Sequence, residues 1–246
     1  MIKRINKTIK LVYENRIKIL PEGLKNKINI FWEECIKQNP TLFNGEDYVV
    51  EKFEEKDDEI VMHVVKSDFA HYLYDERVGI KNPEYRCISP WSGVLLLTSD
   101  NYWVVGQMNK LTSFADGFQI PGGAVDKKDI KDGKIDINEN LKREVKEEVN
   151  LDLDKIDYKI EFLEYPTEKR NTYGFLAIGK LDMTKAEFEK FFKEYQNYLV
   201  KNNLEVEFEK LIFFTKGKAV QEYDAYDNPK RAYMRELLEE VEKIDE

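Results

Sequence analysis

Residues 143–151, read together with Pro121-Gly122-Gly123 about twenty residues earlier, constrain the fold more than any other stretch of this chain. At 3.6 residues per turn, Leu141, Val145 and Val149 form one apolar stripe, and Glu144, Glu147 and Glu148 project beside it within an arc of roughly 100°. Such a helix has to dock its stripe on a core and turn its acidic side to a cleft. Like charges at helical spacing repel, each close pair costing a few tenths of a kcal/mol, so a bound cation is the natural compensation. Hard carboxylate oxygens select magnesium or manganese. An isolated E-x-x-E-E run reads as a solvated face, and a lone Pro-Gly-Gly as a turn. Their joint occurrence, with Arg143 directly before the carboxylates, points to a site.

The stretch resembles the second half of the Nudix box, whose pattern is G-x5-E-x7-R-E-U-x-E-E-x-G-U with U a bulky aliphatic residue. Arg143, Glu144, Val145, Glu147, Glu148 and Leu151 match, and Gly123 stands for the opening glycine. Gln119-Ile120-Pro121-Gly122-Gly123 resembles the strand and turn that lead into the box. The chain departs from the pattern in two places. Arg143 lies twenty residues after Gly123 where the pattern expects about fourteen, which implies an insertion of about six residues within 126–135. Counted back from Arg143, the first acidic position falls on Ile135, leaving Asp126, Asp132 or Asp136 to replace it, with Asp129 a fourth acid in the same loop. The glycine after the helix is Asn150, which also tolerates a left-handed C-terminal cap.

The resemblance implies an α/β fold, a Nudix-type α/β/α sandwich with a mixed sheet. It implies a magnesium- or manganese-dependent hydrolase of pyrophosphate linkages. Glu144, Glu147 and Glu148, helped by the backbone carbonyl of Gly123, would hold the metal. With Arg143 as an orienting ion pair they form the catalytic set. The general base would come from outside the box, with Glu164, Glu168, Glu207 and Glu209 as open candidates. The implied substrate is a nucleoside diphosphate linked to another group, NDP-X, cleaved to a nucleoside monophosphate and a phosphorylated X. Residues 39–45 faintly resemble a region of Nudix enzymes that act on UDP-sugars, so a nucleotide sugar is one form X could take. The alternative is a non-catalytic Nudix-fold module that binds or senses a nucleotide. The inserted loop and the N-terminal region are the expected contributors to specificity.

A net charge of −9 argues against a nucleic-acid-binding surface, which needs a positive footprint. It leaves a nucleotide substrate open, because a bound metal reverses the local sign. Cys35 and Cys87 are isolated and His63 and His71 are the only imidazoles, so a structural zinc site is not expected. Cysteine economy fits a reducing compartment. No signal-peptide core or bilayer-length apolar run occurs, so a cytoplasmic protein without membrane association is expected. A homodimer is left open.

Two regions are expected, an N-terminal α+β region over 1–88 and a hydrolase domain over 89–246. Apolar spacing predicts a helix over 22–38, strands over 48–54 and 59–66, and a short helix to Arg77 capped by Ser67 or Asp68. The second region should begin with a hairpin of buried strands, 93–98 and 102–106. Strands over 159–165, 172–181 and 207–214 and helices over 185–201 and 231–244 follow the box. Phe188, Phe191, Phe192 and Tyr195 read as a core-facing stripe.

Overall fold

The computed structural model describes residues 1–243 apart from positions 41, 113 and 169. Thr41, in the expected turn over 39–45, and Ile244, at the end of the expected last helix, lie outside the described residues. The N-terminal region contains β1 (Ile2–Arg4), β2 (Thr8–Ile17), α1 (Glu22–Gln38), β3 (Glu46–Glu55), β4 (Glu59–Asp68) and α2 (Phe69–Arg77). Then come β5 (Ser89–Leu97), β6 (Tyr102–Met108), β7 (Phe118–Gln119), β8 (Gly122–Ala124), β9 (Ile130–Lys131) and β10 (Lys134–Ile135). The acidic helix is α3 (Ile137–Val149), followed by β11 (Asp157–Glu164), β12 (Thr172–Lys180), α4 (Lys185–Lys201), β13 (Phe208–Thr215), α5 (Ala219–Asp224) and α6 (Ala232–Glu242).

The main sheet runs β1-β11-β12-β5-β6-β13, with β7 on β6 and β8 on β5. It is mixed, since β12 and β5 are parallel while the other pairs are antiparallel. Side chains alternate across a strand, and β5 is buried along its whole length because both of its faces are covered. Leu95 and Leu97 face a layer containing Tyr223 of α5 and Leu237, Leu238 and Val241 of α6. Val94 and Leu96 face the other layer, with Leu141, Val145 and Val149 of α3 and Phe188 and Phe192 of α4. The arrangement is the expected α/β/α sandwich with a mixed sheet. On α4, Phe188 and Phe192 are core, while Phe191 is only partly buried.

A second sheet, β3-β4-β2-β10-β9, packs its apolar side on Leu163, Tyr173 and Phe175 of β11 and β12. β1, β2, α5 and the hairpin β9–β10 had no counterpart in the sequence expectations, while β7 and β8 fall in the strand and turn expected over 119–123. Charged residues break the apolar patterns of β1 and β2, and their partners are distant in sequence. Pairing crosses residue 88 in both directions. β1 adds to the main sheet through Ile2 opposite Glu164, and β10 adds to the N-terminal sheet through Ile135 opposite Leu11. The inserted segment is therefore a hairpin docked on the N-terminal sheet. Its Asp132-Gly133 turn has positive φ at both residues, 49° and 71°, as a two-residue hairpin requires.

Where β3 meets β5 at the cleft wall, the partly buried Asp47 accepts hydrogen bonds from the Tyr48 amide and the Ser89 hydroxyl, and burial pushes its carboxyl up to about 6. A raised carboxyl pKa means that ionisation costs folding free energy. That cost is fully present above about pH 6 and is relieved as pH falls from about 6 toward the unfolded value near 4. Asp47→Asn should therefore stabilise the protein at pH 8 by about 1–3 kcal/mol in urea unfolding, with the advantage vanishing by about pH 4. An equal difference between the two proteins across that range would refute the assignment.

Candidate active site

The acidic helix is fixed at both ends before any acidic residue matters. Asp136 caps its start by accepting from the amides of Asn138 and Glu139. Asn150 ends it in the left-handed conformation, φ 57°. The Tyr195 hydroxyl donates to the Glu147 carbonyl at 2.8 Å, occupying one of the carbonyls that a helix end leaves without a partner. Leu141, Val145 and Val149 are completely buried, so the direction of the carboxylates is set by packing on the apolar side.

The register Gly93↔Gly122, Ser92↔Gly123 lays β8 antiparallel on β5 and holds the Gly-Gly turn under the helix. Gly122 has φ 147°, and a Cβ there would stand 2.1 Å from the Ser92 carbonyl oxygen. A Cβ on Gly123 would stand 2.5 Å from the Glu144 carboxyl carbon. Both glycines are needed for the close approach of backbone to carboxylates. That approach brings the Gly122 amide to Glu148, to which it donates at 2.7 Å.

The three box carboxylates occupy different surroundings. Glu148 is 4 % exposed, and its pKa is raised well above the usual range by burial and by the neighbouring charge of Glu207. Glu207 precedes β13 and is also raised, again chiefly by burial, and its side chain is within hydrogen-bonding contact of Glu148. With both pKa values raised, the metal-free pair favours keeping a proton. Burial raises Glu144 to about 7 although Arg143 Nη1 lies 2.8 Å from its Oε1. Glu147 has a half-exposed side chain and meets the same guanidinium at 3.1 Å.

Arg143 is the hub of this group. Besides Glu144 and Glu147 it reaches Asp129 with Nε at 3.2 Å and Nη2 at 3.0 Å, a two-pronged contact to a buried carboxylate. Of the acids expected to supply the first acidic position, Asp126 caps the turn 127–129, Asp132 sits in the hairpin turn, and Asp136 caps α3. Asp129 is the acid that meets the arginine, which corrects the choice of Asp126, Asp132 or Asp136. The signal was present in the sequence. Counting forward from Gly123 instead of back from Arg143 places the first acidic position on Asp129. Asn140 was missed as well. It is completely buried, its Nδ2 donates to Asp129 and to the Ala124 carbonyl, each at 3.0 Å, and its Oδ1 accepts from the Ser92 hydroxyl.

Among the four acids considered as general base, Glu207 lies against Glu148. Glu164 is buried and lines the same cleft, but Trp91 Nε1 and Arg170 donate to it at 3.1 and 3.2 Å, which occupies it structurally. Glu168 and Glu209 are exposed. Cys35 and Cys87 are free and buried. The site opens into a cleft of about 1120 Å³ whose walls include Gly122, Gly123, Glu144 and Glu207 on one side and Phe43, Phe69 and Tyr72 of the N-terminal region on the other. Among the described residues, no three acidic, imidazole or thiol groups already converge on one point. None of the described helices is long and apolar enough to cross a membrane.

No family model and no curated protein sequence matches the chain. Several solved structures resemble it in shape. The MutT protein of Methanosarcina mazei is 13% identical over 64% of this chain and 95% of its own, with a TM-score of 0.43. The Ap4A hydrolase of C. elegans is 15% identical over 64% of this chain and 97% of its own, with a TM-score of 0.42. The Nudix domain of NrtR from Shewanella oneidensis, solved with ADP ribose, is 9% identical over 70% of this chain and 97% of its own, with a TM-score of 0.42.

Removing one partner from a buried ion-pair network costs less when the remaining charge keeps other partners than when it is stranded. Arg143 keeps Glu144 and Glu147, so Asp129→Ala, which removes the two-pronged contact and an acceptor of the buried Asn140, should lower the unfolding free energy by about 1–3 kcal/mol, while Asp132→Asn, which still tolerates positive φ in the hairpin turn, should change it by less than about 1 kcal/mol. Chemical denaturation of the two variants measures this. Equal effects would mean that Asp129 does not hold Arg143.

Proposed function

We propose that the chain is a Nudix-type, divalent-metal-dependent pyrophosphohydrolase acting on NDP-X compounds. The observation that carries this reading is the contact of the buried Glu148 carboxyl with Glu207, which is partly exposed on the cleft wall. Two carboxyls in contact are unstable unless a proton or a cation offsets their repulsion, and a catalytic site in a cleft gives a reason to keep them there.

A divalent cation fits the donor set. Glu144, Glu147, Glu148 and the Gly123 carbonyl would hold it, with Glu207 adjoining, and all are hard oxygen donors of the kind magnesium and manganese prefer. When bound, the metal would neutralise phosphate oxygens and lower the pKa of water. The protein's own groups supply the rest. The Gly122 amide fixes Glu148. Arg143, anchored on Asp129, keeps Glu144 and Glu147 from drifting and offsets part of their mutual repulsion. Glu207, the one of the four candidates that lies against Glu148 and lines the cleft, would serve as the general base in its ionised form, taking the proton of the attacking water once the proton favoured by the metal-free pair has been released to solvent on cation binding. The walls of the cleft exclude bulk water from the diphosphate and leave room for both groups attached to it.

The deciding experiment incubates NDP-sugars, ADP-ribose, NADH, dinucleoside polyphosphates and nucleoside triphosphates with magnesium and identifies the phosphate-containing products. An NDP-X compound should yield a nucleoside monophosphate and a phosphorylated X. Nucleotide binding without any magnesium-dependent cleavage would leave the binding-module reading in its place.

Glu148→Gln and Glu207→Gln should each lower turnover about 100-fold or more without loss of stability, since the fold is held by the apolar side of α3. Unchanged kcat in both would remove the acidic pair from catalysis. Magnesium should raise Tm with concentration by mass action, and the shift should shrink in Glu144→Gln/Glu148→Gln. An identical shift in that double variant places the ion elsewhere.

A further inference from the structure

The wall of the cleft that faces the acidic helix is built by the N-terminal region, and its most exposed side chain is a large apolar one. Phe43 lines the cleft with 81 % of its surface open. A single exposed apolar residue is ordinary on a free loop tip. Phe43 is not on one. The Phe69 amide donates to the Gly45 carbonyl at 3.0 Å and the Ala70 amide to the Asn44 side chain at 2.7 Å, so two bonds tie the segment carrying Phe43 to the first turn of α2. The ring lies along Gly45, where an added Cβ would stand 3.4 Å from it.

Two further rings on this wall are fixed from behind. Phe69 meets Trp32 of α1 edge-on, with centroids 6.1 Å apart and planes at 89°, and it stacks with Tyr72 three residues on, at 6.0 Å and 19°. Tyr72 packs on Val49, Val65 and Cys87. Both Phe69 and Tyr72 line the cleft and are only partly buried. The charges sort in the same way. The basic residues lining the cleft are Lys127, Arg170 and Arg231, all from beyond the N-terminal region, which contributes only the acids Glu46, Asp47 and Glu76. This wall therefore suits an uncharged group and repels a phosphate.

We propose that Phe43, Phe69 and Tyr72 form a stacking subsite for the nucleobase of the substrate, so that the N-terminal region reads the base while the acidic helix acts on the diphosphate. This rests on the NDP-X reading for its substrate, but stacking itself needs no metal. A base presents a flat apolar face to the rings and N–H donors at its edge, where the neighbouring carboxylates can accept. A sugar presents a hydroxyl on nearly every ring carbon, and Phe43 and Phe69 have no polar atom to meet one. The rings are held before the ligand arrives, so little side-chain freedom is lost on binding.

Nucleosides carry the base without the phosphates that the acidic helix would repel. In ligand-observed NMR with the full-length protein in EDTA, at least one of adenosine, cytidine, guanosine and uridine should bind wild type. Phe43→Ala should weaken that binding at least about fivefold, and Phe43→Trp should keep it. Phe43→Ala should leave Tm nearly unchanged, because an exposed side chain contributes little to the fold. On whichever NDP-X compound the wild type cleaves, Phe43→Ala should raise KM by at least about fivefold and change kcat less. Nucleoside binding that is absent in wild type, or equal in wild type and Phe43→Ala, overturns the subsite. Glucose binding that depends on Phe43 where nucleoside binding does not overturns it in favour of a sugar. If nucleoside binding depends on Phe43 but no NDP-X compound is cleaved, the subsite stands and the hydrolase reading fails. If cleavage occurs with KM and nucleoside binding untouched by Phe43→Ala, the hydrolase reading stands and the subsite fails.

Discussion

The structure is organised around one expensive act, the burial of the Glu148 carboxyl. A carboxylate removed from water is stable only with a proton, a cation or several donors around it. Here the Gly122 amide supplies one donor, and burial beside Glu207 raises the pKa so that the protonated form is favoured. Each of these demands something of the backbone. The amide reaches Glu148 because β8 lies on β5 with two glycines at the contact, where any Cβ would strike Ser92 or Glu144. Glu207 reaches it from the start of β13, at the far edge of the sheet path. The helix cannot relax away from either, since its apolar stripe is locked between the sheet and α4.

The insertion shows how a sequence pattern can be interrupted while its geometry is kept. The Asp136 amide donates to the Asp129 carbonyl at 3.1 Å, so the chain leaves the box at Asp129 and re-enters beside it. Between those points the hairpin β9–β10 projects onto the N-terminal sheet, where Lys134 and Ile135 pair with Val12 and Leu11. With residues 130–135 set aside, Asp129 and Arg143 stand at the pattern's own spacing. An aspartate reaches less far than the glutamate of the pattern. Asn140 stands beside it, donating to its Oδ2 and tying it to Ser92 and Ala124. The buried amide holds the shorter carboxylate in place to receive the two prongs of Arg143.

Much of this was legible in the sequence, for reasons that can be stated residue by residue. Helices α1 and α4 have their expected bounds because apolar periodicity and caps are local properties. Asp68 rather than Ser67 caps α2, a choice between two competent acceptors that only the backbone settles. The roles of Asp126, Asp132 and Asp136 were misjudged because all three are turn and cap residues, and composition alone cannot separate a capping aspartate from an ion-pairing one. Strands β1 and β2 were not legible. Their stability comes from partners more than fifty residues away, β11 for the first and β4 and β10 for the second. Glu207 could be nominated but not distinguished from Glu164, because both are acids at the end of a strand in the sequence pattern. Only the contacts reveal that one is occupied by Trp91 and Arg170 while the other faces Glu148.

The cleft also resolves an apparent conflict in charge. A protein of net charge −9 lines this cleft with Glu144, Glu205 and Glu207, which by Coulomb's law should repel an anion. The charge is less one-sided than that count suggests. Burial raises the pKa of Glu144, Glu148 and Glu207, and Arg143 pairs with Glu144, so the acidic helix carries less negative charge than its carboxyls could. The Arg231 guanidinium, stacked on Phe114 in the same cleft, has no carboxylate partner among the described residues. The two groups of opposite sign are held by helices on opposite faces of the main sheet, α3 on one and α6 on the other, with the Gly-Gly turn beside β5 under the first.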